Sequence, residues 1–126
     1  MAIQIEFIGA VDTVTGSKTL IRFQNHQYLL DCGLFQGHKR DRERNWTPPE
    51  FKIEDIEGVI LTHAHLDHSG YVPRLYKLGF RKPVYCSEGT AALCNILWKD
   101  SARLAEEDAA YANKTGYSHH KPALPL

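Results

Sequence analysis

Three histidines and an aspartate fall within six residues, at His63, His65, Asp67 and His68, and all four are metal-ligating types. Neutral imidazole is a good zinc ligand, and a carboxylate adds charge neutralisation. In an extended segment, side chains two residues apart point to the same side. His63 and His65 are therefore expected to grip one ion together. Asp67 and His68 come where the chain turns into the next helix, face a different direction and suit a second ion. Two-metal hydrolytic sites hold their ions about 3.5–4 Å apart, and a loop this tight can present both. Isolated histidines such as His26, His38, His119 and His120 are read as ordinary surface residues. Four donors cannot fill two coordination spheres of about four ligands each and leave room for a bridging water. The chain alone is not expected to finish its own site.

The elements around this motif can be read from periodicity. Residues 3–8 alternate Ile3, Ile5, Phe7 against Gln4, Glu6, which predicts a strand with one buried face. Residues 9–17 read as a loop, 18–23 as a second strand, and Asn25-His26 as a hairpin turn into a strand over 27–30 that stops at Asp31. Residues 34–50 lack periodicity and read as a long loop. One helical turn is expected at 53–56. Residues 58–61 form a short apolar strand that runs directly into the histidine motif. Val72, Leu75, Tyr76 and Leu78 predict a helix over 68–78, with Gly79 at its C-terminal cap. A strand at 83–86 follows. Ser87 then caps a helix to about Tyr111, with Leu93, Ile96, Leu97 and Leu104 on its buried stripe. The tail from Asn113 reads as a poorly ordered end. Strands followed by alternating strand and helix give an α/β layered domain.

The bulk numbers bound the function. The 126 residues are one domain's worth, and 43% hydrophobic with 24% charged residues argues against disorder. With 15 basic and 15 acidic residues the net charge is zero, so a polyanion would need a local patch. The run Lys39, Arg40, Arg42 and Arg44 is interrupted by Asp41 and Glu43 and reads first as a solvated loop. Three cysteines without a Cys-x-x-Cys motif suggest neither a zinc knuckle nor a redox pair. Cys32 and Cys86 read as small buried residues. A reducing, cytoplasmic location fits. No signal peptide and no membrane span are apparent.

Residues 62–70, Thr-His-Ala-His-Leu-Asp-His-Ser-Gly, resemble the signature of the metallo-β-lactamase superfamily. Three other stretches resemble its β-CASP branch of RNA-processing nucleases. They are Phe7-Ile8-Gly9-Ala10 with Thr13-Val14-Thr15-Gly16-Ser17, then residues 31–37 (Asp-Cys-Gly-Leu-Phe-Gln-Gly), then Gly70-Tyr71-Val72-Pro73-Arg74-Leu75. The resemblance implies the N-terminal half of an αββα sandwich, with a mixed or antiparallel sheet and helices on its outer face. It implies that His63 and His65 bind a first zinc and Asp67 and His68 a second. Asp31 would be the buried carboxylate bracing the metal loop, while Thr15, Ser17 and Gln36 would line the cleft. Members of this branch continue with further metal-binding residues and an inserted β-CASP domain. Residues 1–126 are accordingly expected to be a partial domain beginning at a natural Met1, with the C-terminal half and the β-CASP domain absent.

The expected activity of the complete protein is zinc-dependent hydrolysis of RNA phosphodiesters, as an endonuclease or a 5′-to-3′ exonuclease, with Asp67 also orienting the attacking water. RNA is the expected partner. One alternative is a hydrolase of a small ester, thioester or lactone. The other is a non-catalytic scaffold subunit of an RNA-processing complex, although such partners tend to lose ligands that this chain keeps. The chain by itself is expected to be inactive and to self-associate through an unfinished sheet edge or apolar face.

Overall fold

A computed structural model describes residues 2–116 of the chain. Five strands form one sheet in sequence order: β1 (Ile3–Phe7), β2 (Lys18–Phe23), β3 (His26–Cys32), β4 (Gly58–Ile60) and β5 (Val84–Tyr85). The first three run antiparallel, while β3, β4 and β5 are mutually parallel. Parallel neighbours need long crossovers. Residues 33–57 make the first, and α2 (Leu66–Ser69) with α3 (Val72–Lys77) make the second. The first crossover contains α1 (Lys39–Glu43), and α4 (Glu88–Thr115) follows β5. The expected α/β class is the one observed.

Leu20, Leu29 and Val59 stand on one face of the sheet and are essentially inaccessible to water. They meet Val72 and Leu75 of α3, Phe80, and Cys94 of α4 in a single core. Each such aliphatic side chain contributes roughly 1.5–3 kcal/mol when fully buried. The opposite face is bare among the described residues. Ile3, Ile5 and Phe7 are 61%, 58% and 69% exposed, so the alternation that predicted β1 did not identify a covered face. Period-2 patterning marks a face that suits burial and says nothing of what covers it.

Several boundaries moved for identifiable reasons. The hairpin turn falls at Gln24-Asn25, because Phe23 pairs with His26. The helix expected over 68–78 is two helices. Pro73, at the second position of α3, lacks an N–H and crowds the carbonyl four residues back, so α2 cannot run through it. The break frees the Tyr71 N–H to donate to the Cys32 carbonyl at 2.9 Å. Tyr76 and Leu78 face outward. Gly79, at φ 115°, ends α3. Its N–H donates to the Tyr76 carbonyl and that of Phe80 to the Leu75 carbonyl, at 3.0 and 3.1 Å. This paired closure brings the apolar Phe80 onto the core beside Leu75.

In the long helix, Ser87 caps the N-terminus by accepting from the Thr90 N–H at 3.2 Å. The stripe expected to be buried is mostly wrong. Leu93, Ile96 and Leu104 are 54%, 65% and 45% exposed, whereas Thr90, Cys94 and Ala109 are buried and Leu97 and Trp98 pack on the core. The side chains that reach the core, Cys94, Leu97 and Trp98, lie in the N-terminal part of α4. Neighbours there, and not greatest hydrophobicity, decide which side turns in. The helix reaches Thr115, so Asn113 is helical. The expectation of a ragged tail beyond it, with His119 and His120, lies outside the described residues. The basic run is also not a loop. It forms α1 and a 3-10 turn at Arg44–Trp46 in which Asp41 and Asn45 are buried. No described helix is long and apolar enough to cross a membrane.

Candidate metal centre

The motif begins where β4 ends. Leu61 still donates its N–H to the Tyr85 carbonyl at 2.9 Å, after which Thr62 to His65 leave the sheet and His65 stands at the N-terminal cap of α2. The turn is fixed from several sides. The Ser17 N–H donates to the Asp67 carbonyl and the Leu34 N–H to the Leu66 carbonyl, both at 2.9 Å. The buried Ser69 hydroxyl donates to the Ala64 carbonyl at 2.8 Å and accepts from the Trp98 indole at 3.3 Å. Gly33 is packed against the loop backbone so closely that a Cβ there would stand 1.6 Å from the Asp67 carbonyl oxygen. Only glycine allows that approach.

Asp31 owes its aim to a bulge. Lys18 pairs with Cys32 and Thr19 with Leu30, leaving Asp31 unmatched between them at φ 57°. A bulge re-aims a side chain out of the alternating pattern, and aspartate is among the few residues that accept the left-handed region. The buried Asp31 carboxylate accepts from the Thr62 N–H at 2.8 Å, from the Thr62 hydroxyl at 2.8 and 3.0 Å, and from His68 Nδ1 at 2.8 Å.

The three imidazoles of the motif cluster together. The ring centres of His63 and His65 are 4.8 Å apart, and those of His63 and His68 only 4.2 Å apart. His63 therefore lies nearer to His68 than to the partner two residues along. His68 donates through Nδ1 to Asp31, and in the neutral ring this places the lone pair on Nε2, the form a metal-binding imidazole requires. That Nε2 stands 3.5 Å from Asp67 Oδ2. The separation is long for a hydrogen bond, and two donors each about 2.1 Å from a tetrahedral ion lie at roughly that spacing. The donor types and this pair fit a zinc-like ion. Among the described residues no three His, Cys, Asp or Glu side chains converge as one ion would need.

The cleft candidates have definite places. Thr15 and Gln36 are joined, with the Gln36 N–H donating to Thr15 Oγ1 at 3.0 Å. Ser17 touches the motif through its backbone. His26 pairs with Glu57 at 2.8 Å, away from the cluster. Thr62 joins this cluster, a place the sequence reading did not assign to it. Its hydroxyl contacts both Asp31 and His63, and its position directly before the first histidine was the available signal.

The surroundings are unusually desolvated. Burial pushes the Cys32 thiol up to about 12 and pulls the Lys18 ammonium below its ordinary value. Lys18 Nζ donates to the Gly33 carbonyl at 2.7 Å and lies over the Phe35 and Tyr71 rings at 4.9 and 4.5 Å. It braces the segment behind the metal loop. Cys86, expected to be buried, is exposed, because the two-residue β5 ends before it.

The sequence profile of the metallo-beta-lactamase superfamily matches residues 12–122, which takes in the bulge, the glycine approach and the histidine motif. The chain belongs to the metallo-β-lactamase superfamily. Within it, the chain is 41% identical over 99 residues to Ribonuclease TTHA0252 of Thermus thermophilus, covering 79% of this chain and 22% of that protein. It is 36% identical over 127 residues to Transcription termination factor FttA of Methanocaldococcus jannaschii, covering 98% and 20%. Among solved structures, Rm3 metallo-beta-lactamase aligns with a TM-score of 0.49 at 22% identity, over 70% of this chain and 31% of that one. This metallo-β-lactamase domain segment thus spans about a fifth of the length of the two curated relatives.

Proposed function

We propose that this segment supplies part of the metal centre of an RNA-cleaving hydrolase, with His63, His65, Asp67 and His68 as ligands of two zinc ions. The observation that carries the reading is the His68–Asp67 donor pair, with His68 locked by the bulged Asp31 so that its Nε2 is free. Relatives named as a ribonuclease and a transcription termination factor support RNA as the substrate class. Zinc, when bound, supplies Lewis-acid polarisation of a phosphoryl oxygen and lowers the pKa of water. Asp67 orients the attacking water through a carboxylate oxygen and accepts its proton as the new oxygen–phosphorus bond forms, while the scissile phosphorus–oxygen bond breaks and the departing ribose oxygen takes a proton from solvent. Asp31 holds the His68 ring, and Ser17 and Leu34 hold the loop, so that no reorganisation is needed at the moment of attack. Thr15, Ser17 and Gln36 form the rim along which a phosphodiester lies. Four donors leave two coordination spheres incomplete, so the working centre needs further ligands.

The test is His65→Ala in the complete protein. Loss of bound zinc together with loss of RNA cleavage is expected. RNA cleavage at the unsubstituted rate would overturn the assignment, and zinc-dependent turnover of esters but not RNA would favour the small-molecule alternative.

A further inference from the structure

Thr62 Oγ1 stands 2.8 and 3.0 Å from the two oxygens of Asp31 and 2.8 Å from His63 Nδ1. A threonine hydroxyl carries one proton and two lone pairs, and a carboxylate can only accept. The hydroxyl proton therefore goes to Asp31. Nothing remains for it to donate to His63, so the contact with His63 is made by the ring: Nδ1 carries the hydrogen and Thr62 Oγ1 accepts it. In the neutral ring the consequence falls on the far side, where Nε2 holds the lone pair.

We propose that Thr62 is a positioning residue that sets His63 in its Nδ1-protonated form, with Nε2 bare toward the ion. The inference rests on the reading of His63 as a ligand. One bulged carboxylate then selects the same nitrogen on two rings, on His68 directly and on His63 through a hydroxyl relay. The backbone N–H of Thr62 also donates to Asp31 Oδ1, at 2.8 Å, which holds the residue's main chain beside the carboxylate. Partners of this kind that orient a ligand ring typically change metal affinity 10- to 100-fold when removed.

The experiment is long-range ¹H–¹⁵N correlation of the histidine rings in metal-free protein, at a pH where both rings are neutral. The native protein should show His63 protonated at Nδ1 and not at Nε2. Thr62→Val should lose that preference at His63 while His68 keeps its own, and zinc affinity should fall about 10- to 100-fold. Thr62→Ser should restore both. A native His63 protonated at Nε2 would overturn the inference without recourse to any variant. So would an unchanged His63 in Thr62→Val, equal disturbance of His63 and His68 in that variant, or a Thr62→Ser protein that behaves like it. Because the spectra are recorded without metal, they judge the relay separately from the metal reading, which stands or falls on zinc binding by the unsubstituted protein.

Discussion

The four candidate ligands were legible in the sequence because their residue types are rare in such density, and their order alone placed them at a strand end. Thr62 offered only its place directly before the first histidine, since its contacts depend on Asp31, 31 residues earlier, and on a bulge that no local pattern announces. The cysteines illustrate the same limit. Composition cannot tell a thiol in the core from one just past a strand end. Under native conditions an alkylating reagent should modify Cys86 and leave Cys32 and Cys94 untouched, with all three reacting after denaturation. Rapid native modification of Cys32 would contradict the packing described. Cys32 also gives a signed pH dependence. Its thiol titrates at about 12 in the folded protein against an ordinary value of 9.0. The native state thus holds a proton that the unfolded chain releases, and stability contributed by this group is lost as pH rises from 9.0 toward 12. Lys18 acts in the opposite direction just below 10.5, because burial makes its folded form release a proton sooner. Cys32→Ala should flatten the alkaline decline seen in urea unfolding, and an equally steep decline in that variant would remove Cys32 as its cause.

Two backbone approaches join the elements that build the site. Asn45, buried in the 3-10 turn, accepts from the Phe35 N–H and donates to the Phe35 carbonyl, both at 2.9 Å. Phe35 in turn stacks under Arg44 at 4.0 Å, and Arg44 pairs with Asp12 at 3.0 Å. The segment read as a long loop is therefore a clamp on the chain that follows Asp31. Sequence periodicity missed it because a five-residue helix is too short to show a repeat. Asn45→Ala leaves both Phe35 groups unpaired and should cost about 1–3 kcal/mol for each buried group, measured by chemical denaturation; a change under about 0.5 kcal/mol, the size of an ordinary surface substitution, would contradict the clamp. Gly33→Ala should do more, since its Cβ meets the Asp67 carbonyl and the loop must move. Zinc binding should fall together with stability, and an alanine variant with unaltered zinc affinity would show that the approach is not needed.

For the whole molecule, the strands and the α/β class were readable from alternation and turn residues, but the covered face was not. One sheet face packs on helices, and the other presents Ile3, Ile5, Phe7, Ile60 and Tyr85 to solvent among the described residues. Contiguous exposed apolar surface favours association. We expect the 126-residue chain, expressed by itself, to self-associate in sedimentation velocity, and a monomer at high concentration would count against this. Zinc titration of the complete protein, beside His65→Ala and Asp67→Asn and with RNA cleavage followed in the same samples, probes the metal centre itself. Two equivalents of zinc are expected in the unsubstituted protein, with reduced occupancy in both variants and cleavage that tracks occupancy. RNA cleavage that persists in a zinc-free protein, or zinc binding unaffected by either substitution, would contradict that expectation.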